Sequence, residues 1–195
     1  MTKRSGKSRI RRSHSGLMED LLALGRPVRR DDFTTIGVKS LLGDTIADWN
    51  RISPDRDGRV SLEVSSACEE LSVDVETTKI QQVIINILDN AEQHLPPGGT
   101  ITATIDNNGN DTVLIAFHDT GSGIAAADLT HIFEPFFTTR KAGTGLGLSI
   151  VKNTVENHGG TIRIFNNDPP PGITVELTLP LSRVKNEATE RTDAA

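Results

Sequence analysis

Two asparagines four residues apart are the first candidates for chemistry in this sequence. Asn86 and Asn90 fall within an apolar pattern of helical period, so they share one face of the predicted helix. An amide oxygen is a neutral ligand for a hard cation such as Mg²⁺. Asparagine also has a low helix propensity, so two asparagines on one helix face suggest a function other than helix stability. For the two residues taken alone, a solvated polar face remains the commoner explanation.

The second candidate is an aspartate followed by two glycines, in the stretch DTGSGI at 119–124. Asp119 ends a strand with apolar residues on both faces, where a carboxylate costs free energy unless a group donates to it. An adenine amino group is one such donor, and Gly121 and Gly123 allow a ligand to approach the backbone closely. The alternative is a tight turn with an aspartate cap.

Alternating glycines form the third candidate. Gly143, Gly145 and Gly147 lead directly into a predicted helix. Exposed backbone N–H groups at a helix N-terminus suit a phosphate. The last glycine is not followed by Lys, which excludes a P-loop, and a flexible connector is the alternative.

A dinucleotide fingerprint also matches, but its context is wrong. Residues 121–126 fit G-x-G-x-x-A after a strand, and the fingerprint requires a long helix and a further parallel strand. Pro135 interrupts any long helix, so a Rossmann fold is excluded.

The surrounding pattern predicts the elements that hold these residues. Most neighbouring strands are joined as hairpins, which favours an α+β two-layer sandwich over a doubly wound sheet. We expect Ile36, Leu41 or Leu42, Ile46 and Trp49 on the inner face of the first of three helices. The predicted helices cover 36–50, 76–94 and 146–157, the strands 60–64, 71–75, 100–105, 112–118, 161–166 and 172–180, and the turns 53–58 and 107–110.

Charge divides the chain unevenly. Residues 1–30 hold nine basic and two acidic residues, a net charge of +7, whereas residues 31–195 hold twelve and twenty-four, a net charge of −12. The acidic body argues against nucleic-acid binding. The single Cys68 excludes an internal disulfide framework and a Cys-rich zinc site, and favours a reducing cytoplasmic location. The start has basic residues but no apolar core, so it is not a secretory signal.

The predicted domain organisation follows this division. Residues 1–14 are expected to be a disordered basic end and residues 183–195 a disordered tail. A short helix at 15–27 stops near Gly25 and Pro27 and is too short to be stable without a partner surface. The globular domain is expected to cover 31–182.

The motifs in combination resemble the ATP-binding domain of sensor histidine kinases, in the gyrase/Hsp90/histidine-kinase/MutL superfamily. IINILDNA at 84–91 is similar to the family's N box, DTGSGI to its first glycine box, IFEPFFTT at 132–139 to its F box, and GTGLGLSIVKNTVENHGG at 143–160 to its second glycine box. The likeness covers residues 60–181, with a lid most similar to that of nitrogen-regulation-type kinases. It implies a mixed sheet with three helices on one face, plus an N-terminal helical stub.

The resemblance assigns roles residue by residue. Asn90 would ligate the Mg²⁺ of bound ATP, with Asn86 supporting the phosphates. Asp119 would accept from the adenine amino group. Residues 125–144 would form a mobile lid anchored by phenylalanines. The remaining expected contacts with ATP are Gly121, Gly123, Ile124, Phe137, Arg140, Lys141, Thr144, Gly145, Leu146 and Gly147, with a solvated lid charge as an equal alternative for Arg140 and Lys141.

Two departures from the family pattern bear on activity. Gln93 stands where the N box often has a basic residue. Asn86 stands where ATP-hydrolysing relatives carry a Glu, and an amide cannot take a proton from water. Phosphoryl transfer to a protein side chain therefore fits better than fast hydrolysis.

The phosphoacceptor box of these kinases has no counterpart in the sequence. The helix at 15–27 resembles only the end of the family's dimerisation hairpin, and His14 is not in the right context. His118 and His131 are expected to pack in the core or lid, and His158 to interact with a helix dipole. The resemblance implies transfer from ATP to a histidine outside this chain, with a histidine-bearing dimerisation domain and a response regulator as partners, and a homodimer only if the hairpin is completed. The alternatives are an anti-sigma-factor-type serine kinase and a nucleotide-binding module without transfer.

Overall fold

A computed structural model describes residues 29–52, 58–109, 111–140 and 143–182. The expected basic end at 1–14, the helix at 15–27 and the tail at 183–195 lie outside the described residues. So does most of the turn predicted at 53–58. The elements are β1 (Thr34–Gly37), α1 (Val38–Ile52), β2 (Val60–Val64), β3 (Ser72–Val75), α2 (Thr77–His94), β4 (Ile101–Gly109), β5 (Thr112–Asp119), α3 (Gly147–Asn157), β6 (Thr161–Asn166) and β7 (Ile173–Pro180).

A mixed sheet of five strands forms one layer, in the order β2-β4-β5-β7-β6. β2 and β4 are parallel, with Val60 opposite Ile101, and the other neighbours are antiparallel. The predicted hairpins β4–β5 and β6–β7 are present. β2 and β3, by contrast, do not pair with each other, because α2 supplies the crossover connection that a parallel β2–β4 pair needs.

The three described helices form the second layer. α2 packs against both α1 and α3. One continuous core joins the helices to the inner face of the sheet, which confirms the expected α+β sandwich. The whole predicted stripe of α2 is buried: Ile80, Val83, Ile84, Ile87, Leu88 and Ala91. Each of the Ile, Val and Leu side chains contributes about 1.5–3 kcal/mol relative to exposure when fully buried. The anchored stripe therefore fixes which face of α2 carries Asn86 and Asn90.

A second sheet of two strands corrects the predicted first helix. Ile36 lies in β1 opposite Val73 of β3, and α1 begins only at Val38. The run Thr34-Thr35-Ile36 is β-branched, which favours a strand. Leu41 and Leu42 are both buried, as are Ile46 and Trp49.

The sheet differs from the prediction in three places. Leu114 is half-buried and His118 is exposed, so β5 is only partly covered on its outer side. The alternation of apolar and polar residues over 173–179 predicts an outward-facing Thr174, yet it is 3 % exposed and its hydroxyl donates to Asn167 Oδ1 at 2.7 Å. β4 continues to Gly109 with a register shift after Asn107, which shortens the loop predicted at 107–110.

The two ends of the described domain meet at β3. The Asp74 carboxylate accepts hydrogen bonds from Thr35 Oγ1 at 2.6 Å and from Ser182 Oγ at 2.8 Å. Leu181 forms a bridge with Val73, which joins the small sheet to the last strand of the large one. Among the helices of the described ranges, none is long and apolar enough to cross a bilayer.

Candidate functional site

Asp119 lies at the end of the central strand β5 and is 5 % exposed. Its Oδ1 accepts two backbone hydrogen bonds, from Gly121 N at 2.8 Å and from Ile173 N at 3.2 Å. No described residue donates to Oδ2. The protein therefore satisfies one carboxylate oxygen and leaves the other for a donor from outside.

Glycines allow the chain to close around this carboxylate. A Cβ on Gly121 would lie 2.9 Å from Asp119 Oδ1, and a Cβ on Gly172 would lie 1.8 Å from Asp119 O. Gly172 has φ +97°, a conformation that favours glycine. We call residues 119–124 the aspartate loop and residues 167–172 the β6–β7 loop.

Asn86 and Asn90 project from the half-buried face of α2. The Asn86 Oδ1 accepts from Gln82 Nε2 at 3.1 Å. The Asn90 side chain makes no hydrogen bond to any described residue. Asn90 therefore has the freer amide oxygen of the two, which suits the ligand role expected for it. Gln93 and His94 are both exposed at the end of this helix.

The second glycine-rich segment enters α3 without a side-chain cap. The N–H groups of the first helical turn therefore have no partner in the helix. Leu146 is fully buried and anchors the segment, and its N–H lies 3.4 Å from Thr144 Oγ1. The expected phosphate contacts at Thr144–Gly147 thus lie at the uncapped start of α3.

The lid contacts this helix start through its backbone. Phe136 N donates to Gly145 O at 2.9 Å, and both residues have positive φ. The Phe136 side chain is 64 % exposed, whereas Phe133 and Phe137 are half-buried. Arg140 is exposed, and Lys141 lies outside the described residues.

Asn166, the last residue of β6, and Asn167, which follows it, were not predicted as functional residues from the sequence. Asn166 holds the backbone of Ile124 at both ends: its Oδ1 accepts from Ile124 N and its Nδ2 donates to Ile124 O, each at 2.8 Å. Asn167 Nδ2 donates to Asp119 O at 2.9 Å and to Pro171 O at 3.0 Å. The available signal was their position as the first two residues of the turn sequence NNDPPPG at 166–172, where asparagine side chains readily bond to backbone.

Of the two histidines expected to pack in the core or lid, His131 lies in the lid near the Phe137 ring, whereas His118 departs from the expectation. His118 is exposed, with Nδ1 2.8 Å from Thr174 Oγ1, so it is not a core residue. His131 is exposed in the lid, 2.8 Å from Glu134.

His158 caps α3 but is 5 % exposed and hydrogen-bonded at both nitrogens, to Thr154 O and to Glu76 N. Desolvation by burial lowers the pKa of His158 below its usual value, against the opposing effects of the Thr154 carbonyl and the Glu76 charge. Its Nε2 must accept from Glu76 N, so the neutral ring, rather than a charged ring on the helix dipole, is the native form.

The comparison with protein families decides the assignment. The model of the histidine kinase-, DNA gyrase B- and HSP90-like ATPases matches residues 75–183, more than half of the chain. The chain belongs to this family. The matched range includes the aspartate loop, both asparagines of α2, the lid and the start of α3, so the chain carries an ATP-binding catalytic domain of the sensor histidine kinase type.

Two curated relatives are bacterial kinases that are longer than this chain. The chain is 31 % identical over 171 residues to the sensor histidine kinase ZraS of Escherichia coli K12, covering 88 % of this chain and 36 % of that protein. It is 29 % identical over 164 residues to sporulation kinase A of Bacillus subtilis, covering 84 % of this chain and 26 % of that protein. The chain thus spans between about a quarter and just over a third of the length of these two relatives.

Solved structures agree on the fold of this ATPase-family domain. The catalytic domain of the histidine kinase ThkA superimposes with a TM-score of 0.66 at 29 % identity, covering 76 % of this chain and 95 % of that one. ThkA in complex with the response regulator protein TrrA gives a TM-score of 0.65 at 26 % identity, covering 77 % of this chain and 42 % of that one.

Proposed function

We propose that this domain binds Mg-ATP and transfers the γ-phosphoryl group to a histidine of a protein outside this chain. The observation that carries the proposal is the Asp119 carboxylate, whose Oδ1 is satisfied by two backbone N–H groups while Oδ2 remains available. A buried acceptor at the end of a strand fits the amino group of adenine. The start of α3 supports the phosphate end of the same ligand, since its uncapped N–H groups favour an anion.

The donor chemistry of α2 fits a magnesium ion that is held mainly by the nucleotide. The described residues contain no cluster of three or more His, Cys, Asp or Glu that could hold a metal. Mg²⁺ commonly keeps waters and takes only one or two protein ligands beside substrate phosphates. The Asn90 oxygen, uncommitted within the described residues, would be such a ligand. The ion, when bound, would neutralise charge on the phosphates.

Transfer rather than hydrolysis is supported by the residue at position 86. An amide cannot remove a proton from water, and Asn86 Oδ1 is already hydrogen-bonded to Gln82. The attacking group is therefore proposed to be an imidazole nitrogen of the partner. A nitrogen–phosphorus bond forms as the bond between the γ-phosphorus and the bridging oxygen breaks, and ADP leaves. The partners proposed are a histidine-bearing dimerisation domain and, after it, a response regulator, in the cytoplasm.

The nucleotide part of the proposal is tested by calorimetric titration with ATP, with and without Mg²⁺. We expect wild-type protein to bind ATP more tightly with Mg²⁺, and Asn90→Ala to lose that tightening while keeping Mg²⁺-independent binding. Asn108→Ala, in the β4–β5 hairpin far from the aspartate loop, is the matched control. Absence of binding at millimolar ATP would contradict the proposal.

The transfer part requires a second protein. The domain is incubated with γ-labelled ATP and a separately produced dimerisation hairpin carrying the acceptor histidine. Acid-labile label on the hairpin is the expected result. Acid-stable phosphoserine on a partner would favour the serine-kinase alternative, and nucleotide binding with no label on any partner would favour a binding module.

A further inference from the structure

Asn166 and Asn167 form a direct connection between the β6–β7 loop and the aspartate loop. Asn166 pairs with both backbone polar groups of Ile124, and Asn167 donates to the Asp119 carbonyl. The two loops are more than forty residues apart in sequence. Asn166 is an exposed side chain at the end of an edge strand, so burial does not explain these contacts.

The connection has a defined hydrogen-bond direction. Thr174 Oγ1 donates to Asn167 Oδ1 at 2.7 Å, so the His118 Nδ1 at 2.8 Å must donate to Thr174. This orientation leaves both Asn167 N–H bonds for Asp119 O and Pro171 O. The two carbonyl oxygens fix this orientation, because a flipped Asn167 amide would lose its hydrogen bonds to both Asp119 O and Pro171 O.

The same connection sets the direction of the Asp119 carboxylate. Asn167 holds the β6–β7 loop closed through its backbone N–H, which donates to Gly172 O at 3.0 Å, and through its side chain, which donates to Pro171 O. The closed loop places Ile173 N 3.2 Å from Asp119 Oδ1. Gly172 lies against the Asp119 carbonyl so closely that no side chain fits. If the loop opened, Oδ1 would lose one of its two donors, and the carboxylate would be free to rotate away from the ligand.

We infer that Asn166 and Asn167 are positioning residues for base recognition, which orient Asp119 and the backbone at Ile124 without touching the nucleotide. The inference rests on the proposed ATP site and adds the part of the protein that sets its base selectivity. Asn167 acts on the carboxylate, and Asn166 fixes the far end of the aspartate loop.

The test compares ATP with inosine triphosphate, which carries a carbonyl oxygen in place of the amino group that Asp119 would bind. Affinities are measured by competition with a fluorescent ADP. Asn167→Ala removes two donor hydrogen bonds of ordinary strength, so it should lower the affinity for ATP about tenfold. The affinity for inosine triphosphate should remain nearly unchanged. Asn167→Asp, which keeps the acceptor for Thr174 but not the two donors, should behave like Asn167→Ala.

Three controls keep the outcome decisive. Asn108→Ala, which removes an exposed asparagine bonded to Thr112 in the β4–β5 hairpin, should leave both affinities unchanged. If Asn167→Ala does not fold, Asn166→Ala, at an exposed position, should still lower the ratio of the affinity for ATP to the affinity for inosine triphosphate. The ratio of ATP to ADP affinity should be the same in all variants, because the phosphate end is untouched.

The inference would be overturned if folded Asn166→Ala and Asn167→Ala kept the wild-type ratio of affinities for ATP and inosine triphosphate. An equal loss of affinity for both nucleotides would overturn it as well. If the wild type binds neither nucleotide, the proposed function itself fails, which is a distinguishable result.

Discussion

Asp119 combines two tasks in one side chain. Its Oδ1 closes the aspartate loop on Gly121 and Ile173, and its Oδ2 is left to select a ligand. A substitution that changes only the second task should alter selectivity with little change in fold. Asparagine is such a substitution, since its oxygen can still accept both backbone hydrogen bonds while its amide nitrogen replaces Oδ2.

We therefore expect Asp119→Asn to weaken ATP at least tenfold and to improve binding of inosine triphosphate relative to ATP, because an amide N–H now faces the base and favours a carbonyl oxygen. Circular dichroism and the urea midpoint should remain close to wild type. Equal affinity of Asp119→Asn and wild type for ATP would show that Asp119 does not bind the base.

Sequence reasoning at the residue scale succeeded where a residue type and its neighbours restrict the options. Asp119 was recognisable because a carboxylate at the end of a buried strand requires donors. Asn166 and Asn167 were not, because their partners Ile124 and Asp119 are distant in sequence and are brought near only by the β5–β7 pairing. His158 was placed correctly at a helix end, but its neutral form could not be predicted, since its burial depends on the folded chain around it.

At the scale of elements, the junction between the lid and α3 is set by backbone rather than side chains. Gly145 has φ +67°, and a Cβ there would lie 2.3 Å from the carbonyl carbon of Phe136. The lid can therefore rest on the helix start only if position 145 is glycine. Gly147, two residues on, has open space where a Cβ would go.

The crowded position 145 and the open position 147 can be compared with one alanine variant at each. Gly145→Ala should lower the free energy of unfolding by about 1–3 kcal/mol, the range for a strained residue, and should weaken ATP binding because the lid is displaced. Gly147→Ala keeps its N–H and should be neutral or slightly stabilising. Urea unfolding and ATP titration of both variants provide the measurement. Similar behaviour of the two alanine variants would mean that the junction does not depend on close backbone contact.

The elements themselves were largely predictable because their apolar periods are long and regular. The stripe of α2 was assigned in full, whereas β1 was merged into the first helix because four residues carry too short a pattern. Pairing was the harder problem: β2 and β3 are consecutive along the chain, yet they belong to different sheets.

At the scale of the whole molecule, His158 joins three parts of the domain. It caps α3, accepts from the Glu76 N–H at the start of α2, and stacks on Phe33 with ring centroids 4.9 Å apart. Glu76 and Lys79 are the charged groups that act on the ring. Protonation would remove the acceptor that Glu76 N requires, so the native state favours the neutral form.

The pKa of His158 is lower in the folded protein than the usual 6.5, so the unfolded chain binds the proton more readily. The neutral His158 ring therefore contributes to the free energy of unfolding in full above about pH 6.5. As the pH falls below that value, the free energy of unfolding decreases by at most about 1.4 kcal/mol per pH unit. Urea unfolding between pH 7.5 and 5.5 should therefore show a smaller pH dependence in His158→Gln than in wild type. His94→Gln, at an exposed position, should retain the wild-type dependence, and an unchanged slope in His158→Gln would contradict this account.

The hydrogen bonds of Thr35 and Ser182 to the same Asp74 carboxylate imply that the domain can be circularly permuted. Thr35, near the start of the described domain, and Ser182, at its end, both donate to Asp74 Oδ1. The two ends are therefore close enough for a short loop to join them. A circular permutant that joins residue 182 to residue 34 through a few glycines, and opens the chain at the 107–110 hairpin, should fold and bind ATP as the parent does. An unfolded permutant would show that the order of the strands along the chain, and not only their contacts, is required.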